Sequence, residues 1–325
     1  MPEPDPLYDV VALGEVMLRL ASRAPNRLEQ VRELDVTFGG TEANVLCALA
    51  RLGFRTAWIS ALPQNPWGER LGRELKGHGV DTSHLVWRAR GRIGTYYLEY
   101  GVGPRPIRVL YDRQDSAFTT LSEDEVDWEV VRRSRLVHMT GITPALGEQP
   151  RGLTERAVEE ANASGVFVSL DVNYRTALWA PEEARIYLDS LFPRAQLIFI
   201  GAEDARRLFG LEGEPEAVAE TLRRRAPKAI LALTLGDRGS LVLADRAYRP
   251  TRLYALDTVA DRVGAGDAFA AGFLYGLLGR QDVQHAVDCG TALAALKCTM
   301  WGDVALVRPG ELEELMTQPD PHIRR

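Results

Sequence analysis

Residues 261–273 read DRVGAGDAFAAGF. A Gly-Ala-Gly turn at 264–266 runs into one carboxylate, Asp267, and then into a long apolar stretch. A Walker A loop would carry Lys after its second Gly, where this chain has Asp267. A dinucleotide fingerprint would have Gly or Ala where Phe269 stands, and would follow the first strand rather than lie late in the chain. What remains is a helix with two glycines at its start. Its free N–H groups and positive dipole end suit an anion, and glycine lets a phosphate approach the backbone. One reading of the acid is a helix-start residue that stabilises the dipole by a few tenths of a kcal/mol; the other is phosphoryl transfer to an alcohol. Asp267 is placed to meet an attacking hydroxyl and take its proton as a phosphoryl group arrives.

Outward from this stretch, short β-rich runs alternate with amphipathic ones. YDVVALG (8–14), AWISALP (57–63), LVHMTG (136–141), VFVSLDVN (166–173), LIFIGAE (197–203) and AILALTLG (229–236) read as strands. EANVLCALARLG (42–53), WGERLGRELKGHG (67–79) and RGLTERAVEEANASG (151–165) read as helices that end at Gly. Such alternation implies βαβ crossovers and a mostly parallel sheet with helices on both faces. Two segments break the rhythm, 16–38 and 93–118. The second alternates aromatic and polar residues around a Gly-Pro turn and predicts an antiparallel hairpin. Together they predict a small β-sheet lid inserted in a single domain spanning 1–325.

Bulk properties narrow the class. The 325 residues are 46% hydrophobic and 26% charged, enough for a sizeable core. The net charge of −6 is spread along the chain and argues against a nucleic-acid partner. Cys47, Cys289 and Cys298 fit neither a metal motif nor a disulfide framework, and the five histidines lack metal spacing. No basic segment precedes an apolar one at the start, and no run is long enough for a membrane span, so a cytoplasmic protein is expected. The tail QPDPHIRR (318–325) is expected to fray.

VADRVGAGDAFAAGF (259–273) closely resembles the C-terminal signature of the ribokinase-like (phosphofructokinase-B) sugar kinases. TFGGTEANVLCALARLG (37–53) resembles their N-terminal signature, and the two occur in the expected order. The resemblance covers essentially the whole chain and implies a three-layer α/β/α fold. ALGEVM (12–17), TGITPAL (140–146), SLDVNYRTALW (169–179) and AALKCTMWGD (294–303) are similar to the 2-keto-3-deoxygluconate kinases within that family. This implies ATP-dependent phosphorylation of the terminal (6-) hydroxyl of 2-keto-3-deoxygluconate to 2-keto-3-deoxy-6-phosphogluconate, an Entner-Doudoroff step.

The resemblance also assigns residues. It makes Asp267 the catalytic base and Gly264, Ala265 and Gly266 the anion-hole amides. Gly40, Asn44, Tyr96, Tyr111, Arg113 and Arg175 become sugar contacts, and Gly236 and Gly239 join Gly264 and Gly266 on the nucleotide side. Two arginines suit a sugar carboxylate, which guanidinium forks bind bidentately. The family's Asn-x-x-Glu motif is replaced by Gly201-Ala202-Glu203-Asp204, so Mg²⁺ is expected to come with ATP, with Glu203 or Asp204 reached through water rather than ligating directly. Its Asp-Thr cation pair becomes Asp261-Arg262, which leaves a K⁺ requirement open. Trp301 reads as loop packing rather than adenine stacking, and Lys297 as a cap for the end of its helix. A homo-oligomer is implied, a dimer through the lid or a tetramer or hexamer. The competing readings are a fructose, ribose or ketogluconate kinase on the same fold, and a non-catalytic sugar-binding regulator.

Overall fold

A computed structural model of the protein describes residues 5–256 and 258–317; the tail expected to fray lies outside them. In chain order the elements are β1 (Tyr8–Leu13), β2 (Met17–Ala21), β3 (Asp35–Gly39), α1 (Thr41–Arg51), β4 (Thr56–Pro63), α2 (Pro66–Gly77), β5 (Val80–Asp81), β6 (Leu85–Arg88), β7 (Thr95–Glu99) and β8 (Arg108–Asp112). There follow α3 (Glu129–Arg132), β9 (Ser134–Thr140), α4 (Glu148–Ala163), β10 (Phe167–Asp171), α5 (Pro181–Leu191), β11 (Leu197–Gly201), α6 (Ala202–Phe209) and α7 (Pro215–Arg223). The last third holds β12 (Ile230–Thr234), β13 (Ser240–Leu243), β14 (Ala247–Tyr248), α8 (Ala265–Arg280), α9 (Val283–Cys298) and α10 (Pro309–Thr317).

The large sheet runs β14-β13-β12-β11-β10-β9-β1-β4-β5, with β6 also paired to β4. Its strands are parallel from β12 through β5. β13 and β14 return antiparallel at one edge, two short strands that the run-by-run reading did not separate from the turn after β12. Central strands read as unbroken apolar runs because both faces are covered; all eight residues of β4 are buried. Period-two alternation then sorts the side chains. Val11, Leu13 and Ile59 face one core with α4, α5 and α7, while Val10, Ala12 and Trp58 face the other with α1, α2, α8 and α9. This is the expected three-layer α/β/α arrangement.

The two segments that broke the rhythm form a second sheet, ordered β3-β2-β7-β8. β7 and β8 are the antiparallel hairpin, with Tyr96 opposite Tyr111. β2 lies parallel to β7 and antiparallel to β3. Chain connectivity sets this sheet beside the C-terminal ends of β1 and β4, and β3 leads directly into α1. Among the described residues, no helix is long and apolar enough to cross a membrane.

Helix α8 is apolar nearly all round because it is enclosed by α1, α9 and the sheet. Gly272 permits that enclosure: a Cβ there would lie 2.5 Å from the Cys289 carbonyl oxygen. The obstructing atoms belong to the backbone of α9 and cannot swing away. Gly272→Val is therefore expected to destabilise the fold by about 1–3 kcal/mol, the usual cost of overpacking. The check is a lower denaturant midpoint at unchanged slope.

Candidate active site

The C-terminal ends of β1, β10, β11 and β12, the start of α8 and one face of the small sheet enclose a cavity of about 470 Å³. Helix α8 starts from Gly264, which adopts a left-handed conformation at φ 84°. A Cβ there would lie 2.0 Å from the Asp303 carbonyl oxygen, so the position demands glycine twice over. At Gly266 a Cβ would have no neighbour within 4 Å; the first turn of α8 opens onto the cavity.

Asp267 sits one step further in and is buried. Its Oδ2 accepts a 2.6 Å hydrogen bond from Asn44 Nδ2, which crosses from α1. Burial pushes the carboxyl up to about 7; the Asn44 bond and the Arg175 charge oppose this, and the Asp303 and Glu42 carboxylates add to it. Asp171, at the end of β10, is pushed up to about 8 by burial and by the charges of Asp267 and Asp204. Two neighbouring acids are thus both pushed up toward neutrality. That is the range in which a carboxylate is an effective proton acceptor.

The other expected residues divide. Gly40, Tyr96, Tyr111, Arg113, Arg175, Gly264, Ala265 and Gly266 all line the cavity. Tyr96 is buried and donates to Asp303 Oδ2 at 2.8 Å, so its hydroxyl is already engaged; the exposed Tyr111 ring lies 6.0 Å from it. Arg113 was expected to offer its fork to a ligand. Instead Nε and Nη2 both bind Glu15 Oε2, at 2.8 and 2.5 Å, and only Nη1 is without a hydrogen bond among the described residues. Arg175 makes only a 3.3 Å bond to the Tyr174 carbonyl and no ion pair among the described residues. Arg262 is exposed at the rim.

Gly236 and Gly239 are not brought to the cavity. They shape the turn between β12 and β13, both with positive φ, while Thr234 just before them is in the lining. Of the two acids opening α6, Glu203 turns outward to Arg206 and Arg207. Asp204 turns inward, accepts from Tyr174 N at 3.2 Å, and is raised by burial. Trp301 is 62% exposed and edge-on to Tyr100, away from this cavity.

Four lining acids carried no assignment: Glu15, Glu42, Asp171 and Asp303. Each lies inside a motif quoted above, which was the available signal. Glu42 is buried and accepts 2.7 Å bonds from Thr140 and Thr143. The arrangement amounts to open helix-start amides, a buried carboxylate beside them, two guanidiniums without an ion pair among the described residues, Arg175 within and Arg262 at the rim, and a wall of acids. It can hold a phosphate against a hydroxyl whose proton the carboxylate removes.

The chain matches the model of the pfkB family carbohydrate kinases over residues 8–307. It is 37% identical over 317 residues to a 2-dehydro-3-deoxygalactonokinase of Haloferax volcanii, covering 98% of this chain and 99% of that protein. The crystal structure of a 2-dehydro-3-deoxygluconokinase from Thermotoga maritima superposes with a TM-score of 0.89 at 34% identity, covering 95% of this chain and 99% of that one. An uncharacterised sugar kinase from Pyrococcus horikoshii in complex with ATP shares the fold at 23% identity and a TM-score of 0.80, covering 94% and 99%.

The raised acids predict a pH signature in stability. A carboxyl that holds its proton more tightly folded than unfolded contributes stability at low pH. That contribution declines above about pH 4, the unfolded value, and is gone once the folded value is passed. For Asp171 the decline ends near 8. Asp171→Asn is thus expected to raise the melting temperature over wild type by an increment that grows from about pH 4 to about pH 8 and then levels. Scanning calorimetry of both proteins across that range checks it.

Proposed function

For a chain that belongs to the pfkB family of carbohydrate kinases, we propose transfer of the γ-phosphoryl group of ATP to the 6-hydroxyl of 2-keto-3-deoxygluconate, giving 2-keto-3-deoxy-6-phosphogluconate. The observation that carries this reading is the buried Asp267–Asn44 contact beside the open turn at Gly266, with Arg175 uncommitted in the same cavity. Asp267 takes the hydroxyl proton; the amides at 264–266 receive the phosphate charge that develops. Arg175 binds the sugar carboxylate, joined by the free Nη1 of Arg113, whose other edge Glu15 holds in place. Asn44 fixes the orientation of the base.

Asp204 and Asp171 are the acids fitted to a divalent cation: both line the cavity and both are raised by burial. They would hold Mg²⁺ through its waters, and the ion supplies charge neutralisation to the ATP phosphates. Glu203, which points away, has no part in this. The small sheet acts as a lid whose Met17, Tyr96 and Tyr111 face the sugar and whose closure excludes water. Self-association through this sheet fits its exposed Val102, Ile107 and Leu110. The Haloferax relative's name favours a second substrate, the galactonate epimer, on the same machinery.

ADP release is the direct test, with ATP and Mg²⁺ against 2-keto-3-deoxygluconate, 2-keto-3-deoxygalactonate, 2-ketogluconate, fructose and ribose. Turnover of the 3-deoxy acids and little of the neutral sugars is expected; turnover of fructose or ribose alone would remove the carboxylate argument. Arg175→Ala should raise KM for the sugar acid by about 10–100-fold, from about 1.5–3 kcal/mol of charge-assisted hydrogen bonding.

Asp267→Asn should lower kcat by about 10²–10⁴-fold or more with little change in sugar affinity. In the wild type kcat/KM should fall below about pH 7, because the base is then protonated. A flat acid limb together with near-normal kcat in Asp267→Asn would remove the residue from this role.

A further inference from the structure

Lys297, near the end of α9, is 0% exposed. A lysine so deeply placed would ordinarily pair with a carboxylate, since an isolated buried ammonium is costly. It makes no ion pair among the described residues. Its Nζ donates instead to two main-chain carbonyls, that of Asp261 at 2.9 Å and that of Met300 at 3.4 Å. These belong to the two loops that bracket the start of α8: 261–264 leads into it, and 299–303 places the Asp303 carbonyl against Gly264. Arg19 of β2, also buried, bonds the side chains of Asp261 and Asp303. Two fixed cations and two acids therefore form a closed, balanced cluster behind the turn. Burial lowers the affinity of Lys297 for its proton, while Asp261 and Asp303 raise it again.

We propose that the Lys297 ammonium is a built-in monovalent cation, a positioning residue that holds the 261–264 and 299–303 loops together through their carbonyls so that the enzyme needs no K⁺. The inference rests on the reading of the start of α8 as the phosphate site. An ammonium group and K⁺ share a charge and a preference for carbonyl oxygens. Removing the side chain beyond Cβ leaves a small cage with those two carbonyl oxygens in its wall, within the field of the Asp261 and Asp303 charges. Such a cage accepts NH₄⁺ or K⁺ and excludes a bulky ammonium. A lysine that only filled space would leave nothing for a small cation to replace.

Wild type, Lys297→Ala and Lys297→Met are compared with tetramethylammonium as sole monovalent cation and then with NH₄⁺ or K⁺. Wild-type kcat and melting temperature are expected to be unchanged by the exchange. In Lys297→Ala, kcat should fall about tenfold or more, the scale of a lost charged hydrogen bond. NH₄⁺ or K⁺ should restore it and raise the melting temperature of this variant alone. Lys297→Met, which keeps the stem and fills the cage, should stay impaired in every salt. Stimulation of the wild type by K⁺ would overturn the proposal, as would full activity in Lys297→Met. If Lys297→Ala does not fold, the wild-type and Lys297→Met arms decide alone. The melting-temperature arm needs no turnover, so an enzyme silent on every sugar would sink the functional reading and leave this one to be judged separately.

Discussion

Asp303 joins the small sheet to the start of α8. Its carboxylate receives Arg19 from β2 and the Tyr96 hydroxyl from β7, and its carbonyl rests where a side chain at Gly264 would be. The small sheet and the start of α8 are thereby fixed to one residue. Replacing buried ion pairs of this kind with apolar groups often leaves stability unchanged or higher. Their use here is registration. Arg19 and Tyr96 make specific bonds that an apolar contact would not, and so set where the small sheet ends against the glycine turn at 264–266. Burial raises the Asp303 carboxyl while Arg19 and the Tyr96 bond lower it again.

The same economy of charge runs through the cavity. Six acids line it, and one of three arginines, Arg113, is engaged with Glu15. Burial and crowding push Asp171 and Asp267 upward. Under the proposed reading, Asp171 and Asp204 would hold a divalent cation, whose charge would offset the repulsion between this acid wall and a bound phosphate. The elements supplying these groups are the ends of parallel strands and one helix start, where such sheets leave a crevice.

Much of this was legible in the sequence because the motifs are local while their meeting is topological. Asn44 and Asp267 stand 223 positions apart, yet each lay at a fixed place in a recognisable helix opening. Strand-and-helix alternation sufficed for the layers. The sequence was silent where a choice depended on direction. Glu203 and Asp204 are adjacent on a helix, about 100° apart around its axis, and only one faces inward. Arg113 looked available because its partner Glu15 lies 98 residues away, in the link between β1 and β2. Gly236 and Gly239 were expected on the nucleotide side, but the reversal from β12 into antiparallel β13 also uses glycine, both at positive φ. Lys297 did cap carbonyls, though one of them, on Asp261, belongs to a different loop.

The charge on the sugar bears on the base as well as on binding. Arg175 draws the Asp267 carboxyl downward across the cavity. Under the proposed reading the substrate carboxylate comes to Arg175 and offsets that charge. Asp267 then loses a cation that favoured its ionised form: it is a stronger base when ionised, and the acid limb of kcat moves to higher pH than that of kcat/KM. A neutral sugar of similar shape would fill the cavity but leave the Arg175 charge acting on Asp267, and the base would stay weaker. Recognition of the acid and activation of the hydroxyl are then two effects of one guanidinium. Discrimination between sugar acids and neutral sugars should accordingly be found in kcat as well as in KM, because the interaction strengthens proton removal in addition to holding the substrate.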